Sequence, residues 1–135
     1  MSTILQKVFQ MEEYQRIFLE KFLGTNDEGV LENYEPKIVR AMEAVEKYAV
    51  KRYVFKPSMR TIWIVVGKER EYQVIPRIFC QCDDFYINVV IKRKTRACYH
   101  MLAQAIAEER GIFESYELLD SDFIRLNKEW KGQTL

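Results

Sequence analysis

The chain has 135 residues, a length that suits one domain with a hydrophobic core of its own. Hydrophobic residues make up 48% of it and charged residues 30%, with a net charge of +1, which excludes a disordered or fibrous protein. No apolar run approaches the roughly 18–20 residues that cross a bilayer, and the N-terminus lacks signal-peptide features. We therefore expect a soluble, intracellular protein without membrane contact, cytoplasmic in a prokaryote and nuclear in a eukaryote.

The first 50 residues predict two helices. Ser2 or Thr3 is suited to cap the first helix and Gly24 to end it, whereas Gln15 interrupts its apolar stripe. Pro36 suits the first turn of the second helix. The stripes have the helical spacing of three and four residues. They consist of Ile4, Leu5, Val8, Met11, Phe18 and Phe22 in the first helix, and of Ile38, Met42, Val45 and Ala49 in the second.

From about residue 51 the chain is rich in β-branched and aromatic residues, which predicts strands at 52–56, 60–66 and 71–77 in a small antiparallel sheet. Gly67 indicates the hairpin turn between the second and third strands. Residues 83–95 stay open at this point, because their composition favours a strand while Asp83 can cap a short helix.

Two more helices are predicted near the C-terminus. The first runs from about residue 96 to 110 and ends at Gly111. The second runs over about 121–131, with Asp120 or Ser121 as its cap. Its apolar face consists of Phe123, Leu126 and Trp130.

All three cysteines and the single histidine lie within 21 residues, as Cys80, Cys82, Cys98 and His100. Each pair has its members two residues apart, the first pair at the end of a strand and the second at the start of a helix. This arrangement can close a tetrahedron around one Zn²⁺, and four protein ligands make such a site structural. The alternatives are inert buried cysteines with a surface histidine, or a redox Cys-x-Cys pair that leaves the second pair unexplained. We expect Cys82→Ala to destabilise the chain strongly while residues 1–50 keep their helices.

The pattern Cys80-Gln-Cys82, fifteen residues, Cys98-Tyr-His100 resembles the SWIM zinc finger, C-x-C-xn-C-x-H. Phe85, the "EYQV" stretch before the first cysteine and "CYHMLAQAI" at the second pair agree with it. Many SWIM fingers have Lys where this chain has Tyr99. In SWIM fingers the stretch after Cys-x-Cys is often helical, which favours a helix over 83–90.

The length and the helical ends also resemble the stand-alone SWIM proteins of the Shu type. Those proteins work with RecA-fold recombinase paralogues in homologous recombination. The resemblance and the predicted elements together imply an α+β fold with N-terminal helices, a small antiparallel sheet, a zinc-centred SWIM ββα element and a C-terminal helix. We divide the chain into a helical region 1–50, a finger region 51–112 and a helical extension 113–135 of one compact domain.

The charge is unevenly distributed, with eleven Lys or Arg and four Asp or Glu in residues 51–100, a net +7 flanked by segments of −3. A basic face there would follow single-stranded or branched DNA, and aromatic rings would stack on bases. The simpler alternative is a solvated face that offsets the zinc thiolates. The candidate phosphate contacts are Lys92, Arg93, Lys94 and Arg96, and the candidate stacking rings are Tyr86 and Tyr99.

Apolar residues of the first helix, such as Phe9 and Phe18, occupy more than one face, and we expect the first or the second helix to form an interface to a recombinase paralogue or to a second copy of the chain. No enzyme is expected, because the one histidine is assigned to metal and "GKER" at 67–70 is not a phosphate loop. The sequence favours a zinc-binding accessory protein of homologous recombination or DNA repair. The alternatives are a stand-alone zinc-finger regulator that binds nucleic acid and a zinc-dependent dimerisation module.

Overall fold

The structure, a computed structural model, describes residues 12–132. Three helices open it: α1 (Glu13–Leu23), α2 (Glu28–Glu32) and α3 (Glu35–Glu46). Gly24 ends α1 with φ 70°, the left-handed conformation that glycine adopts without steric cost. None of the helices in the described range is long and apolar enough to cross a membrane.

The start of the predicted first helix lies outside the described residues, including its caps Ser2 and Thr3 and the apolar residues Ile4, Leu5, Val8, Phe9 and Met11. Within α1, Gln15 does not interrupt the packed face but is itself buried. It takes part in a capping box with Glu12 at the start of the helix. Because Gln15 is polar, the sequence pattern did not identify this inward-facing position.

Five strands form one sheet: β1 (Val50–Lys56), β2 (Arg60–Val66), β3 (Glu71–Ile75), β4 (Phe79–Cys80) and β5 (Glu114–Leu119). Their order is β4-β3-β2-β1-β5, and the first four are antiparallel to their neighbours. The α+β class is confirmed. The sheet is nevertheless larger than predicted, and it is mixed because β5 runs parallel to β1.

The strand β5 lies within the segment 113–135, which the sequence predicts to be helical. The helix α4 (Tyr99–Arg110) carries the chain from the β4 edge across the sheet, so that β5 enters beside β1 in the same direction. Strand propensity alone does not predict β5, because the strand contains Glu114 and Glu117 and glutamate is depleted in strands.

Residues 83–91 are helical rather than extended, with a π-helix over Phe85–Ile91, whereas 92–95 are irregular. The following helix α4 starts at Tyr99, three residues later than predicted, and Cys98 occupies its N-cap position. Gly111 ends α4 with φ 70°, as predicted. This segment thus runs from the sheet edge through a π-helix into the long crossover helix.

The two faces of the sheet are covered by different elements. One face carries α4 with α1 and α3, and we call its interior the metal-side core. The other face carries the last helix, α5 (Phe123–Gly132), and we call its interior the C-terminal core. The metal-side core includes Phe18, Leu31, Ile38, Val45, Val65, Val74, Cys80, Cys82, Cys98, Leu102 and Ile106.

The start of α5 differs from the prediction. A 3-10 turn at Asp120–Asp122 precedes the helix. Asp120 does not cap α5 with its side chain but accepts hydrogen bonds from the backbone N–H of Ser58 at 3.0 Å and its hydroxyl at 2.7 Å. This carboxylate therefore ties the C-terminal segment to the β1–β2 turn. The predicted apolar face of α5 does pack on the sheet, through Phe123, Leu126 and Trp130.

Candidate metal centre

The four predicted ligands come from two elements that meet at one end of the sheet. Cys80 ends the edge strand β4, where it is paired with Val74 of β3, and Cys82 follows in the turn. Cys98 is the N-cap residue of α4, and His100 lies in its first turn. The hairpin and the helix thus each contribute one pair of ligands.

The structure brings all four donor atoms together, within 4.8 Å of one another, and all four residues are buried. The Nδ1 atom of His100 lies 3.8 Å from the Sγ atom of Cys80 and 3.8 Å from that of Cys98. A tetrahedral zinc ion with bonds of about 2.0–2.3 Å separates its ligand atoms by about 3.5–3.8 Å. The donor set and its spacing therefore fit zinc, and a surface histidine is excluded because His100 is only 5% exposed.

Neighbouring groups fix the ligands in place. The backbone N–H of Phe85 donates to the Sγ atom of Cys82 at 3.3 Å, so the start of the π-helix supports this ligand. The imidazole of His100 lies between two rings, with centroids 4.3 Å from Tyr72 and 4.0 Å from Tyr99. Its Nδ1 atom faces the thiols, while its buried Nε2 atom has no hydrogen-bond partner in the described part of the chain.

The thiols ionise unequally. Hydrogen bonds from Cys80 and then Cys98 hold the pKa of Cys82 well below its ordinary value. The pKa of Cys80 is raised, first by its bond to Cys82, then by Cys98 and burial. For Cys98, the contact with Cys80 lowers the pKa, but Cys82 and burial together raise it to about 12. Three thiolates this close together repel one another, and a bound Zn²⁺ would supply the positive charge that stabilises all three.

The predicted nucleic-acid residues separate into two groups. Lys92, Arg93 and Lys94 are exposed and form no ion pair within residues 12–132. Arg96 has a different role, because its guanidinium donates to the Leu23 carbonyl at 3.0 Å. Its backbone N–H also donates to the Tyr34 hydroxyl at 2.7 Å. Arg96 therefore holds the end of α1 beside the finger.

The remaining basic residues of the +7 segment do not converge on one face. Arg52 donates to the Ser115 hydroxyl on the side of the metal-side core, and Arg60 lies over the Phe123 ring on the other side. Arg77 lies over the ring of Phe22. The charge of this segment is distributed around the molecule, which sequence counting could not show.

A basic cleft lies beside the metal centre, and it joins Tyr99, a predicted ring for nucleic acid, to residues of α3 that the sequence did not point to. Arg40, Lys47 and Lys68 line a cleft of about 280 Å³ together with Tyr99 and Glu43. The guanidinium of Arg40 lies 4.1 Å from the centre of the Tyr99 ring. Arg40 therefore places a cation beside the position at which many SWIM fingers have Lys. The signal was the seven-residue spacing of Arg40 and Lys47, which places Lys47, the C-cap residue of α3, about two turns beyond Arg40 on the same side.

Comparison with curated proteins finds two relatives. The chain is 27% identical over 92 residues to Zinc finger SWIM domain-containing protein 7 homolog of Dictyostelium discoideum, covering 67% of this chain and 59% of that protein. It is 34% identical over 85 residues to an uncharacterized protein of Archaeoglobus fulgidus, covering 63% of each. The chain thus spans less than two thirds of the length of both relatives.

No protein-family model matches the chain, and no solved structure matches it. The similarity to a SWIM protein agrees with the buried Cys₃His cluster. Together they support a SWIM-like zinc finger and a zinc-binding module, as the motif predicts.

Proposed function

We propose that this protein is a non-enzymatic, zinc-binding accessory of homologous recombination or DNA repair that acts by contact with a RecA-fold recombinase or paralogue. The observation that carries the proposal is the buried Cys₃His cluster in a chain with similarity to a SWIM protein. One zinc ion per chain has four protein ligands, Cys80, Cys82, Cys98 and His100, and no open position for a substrate. The zinc is then a structural part of a binding protein.

The position of the cluster supports a scaffold role. It joins the β3–β4 hairpin to α4, and its cysteines belong to the same core as residues of α1 and α3. Because the ligands are brought together only by folding, the free energy of zinc binding adds to the stability of this core. Zinc therefore determines the shape of the surfaces around it.

Most large apolar residues in the described part of α1 pack against their own chain. Phe18, Leu19 and Leu23 are buried and Phe22 packs against the same core, so its apolar residues contact their own chain. Ile17 is the large apolar residue of α1 that is exposed. A homodimer through the N-terminal helices stays a prediction, and Phe9 lies outside residues 12–132.

Capture of the tagged, zinc-loaded protein from its native host tests the proposal. We expect a RecA-fold protein in the captured material, at a yield that falls when zinc is lost through Cys98→Ser. Metal analysis of protein purified without added metal should give one zinc ion per chain. Recovery of nucleic acid alone, or of this chain alone, would replace the proposal with a regulator that binds nucleic acid or with a dimerisation module.

Contact with single-stranded nucleic acid is a second candidate, supported by the basic cleft beside Tyr99. Lysine and arginine there would hold phosphates while the tyrosine ring stacks on a base. We expect Lys47→Glu with Lys68→Glu to abolish binding of an oligothymidine at low salt. The matched control is Lys21→Glu with Lys128→Glu, two exposed lysines elsewhere, and equal loss in both variants would contradict a specific cleft.

A further inference from the structure

Exposed apolar side chains concentrate at one end of the molecule. Of the fourteen large apolar residues that are exposed within residues 12–132, seven lie on the β3–β4 hairpin and the π-helix. Ile78 is 70% exposed and Tyr86 is 60% exposed. Exposed apolar side chains that are grouped in this way are typical of interaction sites on folded proteins. We call it the hairpin–π surface, and its members are Ile75, Ile78, Phe79, Tyr86, Ile87, Val90 and Ile91.

The two parts of the hairpin–π surface are joined. Ile75 and Phe79 are paired across β3 and β4, so their side chains are neighbours on one face. The ring of Phe79 packs edge-on against Phe85 at 5.5 Å, and Phe85 is the buried first residue of the π-helix. The hairpin therefore continues into the helix that carries Tyr86.

The surface is held in shape from its inner side. Cys82 accepts a hydrogen bond from the start of the π-helix, and Asp84 is paired with Lys37 of α3 at 2.8 Å. Asn88 donates to the Asp84 carboxylate at 2.7 Å. Because these contacts hold the helix while its outer residues stay exposed, a partner meets a preformed surface and less ordering entropy is lost on binding.

A cationic run borders the surface. Lys92, Arg93 and Lys94 follow the π-helix directly, and all three are exposed without an ion pair in the described residues. The backbone N–H of Lys92 donates to the Ile87 carbonyl, and that of Lys94 to the Asn88 carbonyl, each at 2.8 Å. The run is thus anchored beside the apolar residues by its main chain.

We propose that the hairpin–π surface docks an amphipathic segment of another protein, apolar on the face that covers Tyr86 and Ile87 and acidic where it meets Lys92–Lys94. This inference rests on the proposed function, since it names the surface by which the protein would hold its partner. Apolar contact would supply the affinity, and the opposite charges would set the orientation of the segment.

The composition of the surface favours this occupant over others. A nucleic acid would pair its phosphates with the three cations and stack bases on the aromatic rings, but it would leave the five aliphatic side chains of the surface without apolar partners. A symmetric second copy would bring two such cationic runs into one interface. A membrane-bound amphipathic helix lies flat over many turns, whereas this π-helix has seven residues and packs its inner side into the core.

Photo-crosslinking identifies the occupant directly. The full zinc-loaded chain is expressed in its native host with p-benzoylphenylalanine in place of Tyr86, and crosslinked peptides are sequenced by mass spectrometry. We expect one segment of another protein, with apolar residues at helical or alternating spacing and Asp or Glu at one end. A crosslink to this chain, including residues 1–11, to nucleic acid, to lipid or to a segment without acidic residues overturns the proposal. Absence of any crosslink overturns it as well.

The affinity of that segment, made as a synthetic peptide, then measures each part of the surface. We expect Ile87→Ser with Ile91→Ser, and separately charge reversal of Lys92, Arg93 and Lys94 to Glu, each to weaken binding at least about tenfold. Ile124→Ser, at an exposed isoleucine of α5, should change binding less than about twofold. Unchanged zinc content and melting temperature show that the variants are folded, and unchanged binding in either test variant overturns the proposal.

The two proposals fail in different ways. If a RecA-fold protein is captured but does not crosslink to residue 86, and its binding is unaffected by Ile87→Ser and Ile91→Ser, the proposed function stands and the docking surface is ruled out. If the crosslinked segment is acidic and amphipathic but comes from a protein without a RecA fold, the docking surface stands and the proposed function is ruled out.

Discussion

The two faces of the sheet are stabilised in different ways. The metal-side core joins four α-helices, four strands and the π-helix, and the candidate zinc ligands are part of it. The C-terminal core has three fully packed residues, Phe55, Ile64 and Trp130, and depends on the single helix α5. The first core has many elements around one metal centre, whereas the second has one helix held by few side chains. We therefore expect substitutions on the two faces to destabilise the protein in different ways.

The C-terminal core depends mainly on the indole of Trp130. Its Nε1–H donates to the Glu71 carboxylate at 3.1 Å, and its ring packs edge-on against Tyr53 at 5.0 Å. At the other end of the helix, Phe123 packs edge-on against Phe55 at 5.2 Å. Two aromatic contacts thus hold α5 to the sheet, with one hydrogen bond as an additional restraint.

The largest effect is expected at the metal centre. Cys98→Ser keeps the size of the side chain but replaces a thiolate with a poor zinc ligand, so zinc should be lost and the free energy of unfolding should fall by more than about 4 kcal/mol. Because the cysteines share their core with Phe18 and Ile38, we now expect the loss to reach α1 and α3 as well. This revises the expectation that residues 1–50 keep their helices. Zinc analysis and denaturant unfolding followed by circular dichroism measure both effects.

Ala103→Ser is the matched control for Cys98→Ser. It adds a hydroxyl at a fully buried position of the same helix without touching a ligand, so it should destabilise less and leave the zinc content unchanged. Retention of zinc by the Cys98 variant would remove this cysteine from the ligand set.

The next effect is expected on the opposite face. Trp130→Ala removes most of the C-terminal core and should cost about 3 kcal/mol, with α5 released from the sheet. Zinc content should not change, since Trp130 and the metal centre lie on opposite faces. Backbone hydrogen exchange should increase in α5 and in β2, which α5 would no longer cover, but not in α4. A loss of zinc in this variant would show that the two faces unfold together.

The smallest effect is expected where the chain passes from α4 to β5, the strand that pairs with β1. Gly111→Ala places a side chain at φ 70°, and we expect a cost of about 1 kcal/mol, measured by denaturant unfolding. The control is Gly132→Ala, at a position with open space and no left-handed backbone, where the change should stay within about 0.5 kcal/mol. Equal effects would mean that the helix end is not the cause.

The comparison also shows which parts of the fold were accessible from sequence. Strands β1, β2 and β3 were predicted because their apolar and aromatic runs are local signals, and β5 was not, because Glu114 and Glu117 weaken such a signal. In the structure these carboxylates pair with Lys51 and Lys56 of the neighbouring strand. These ion pairs depend on where α4 places the chain, and their partners are too far apart in sequence for local patterns to predict them.

The sequence by itself determined the candidate ligands and the helix ends, since paired Cys and His residues and glycines at helix ends act through local spacing and backbone conformation. Only the tertiary structure decided that Arg96 holds the end of α1 and that Arg40 meets Tyr99. It also decided that the middle of the spacer between the ligand pairs is an exposed apolar surface beside a cationic run. Burial and charge pairing are set by residues distant in sequence, so these roles follow from packing rather than from composition.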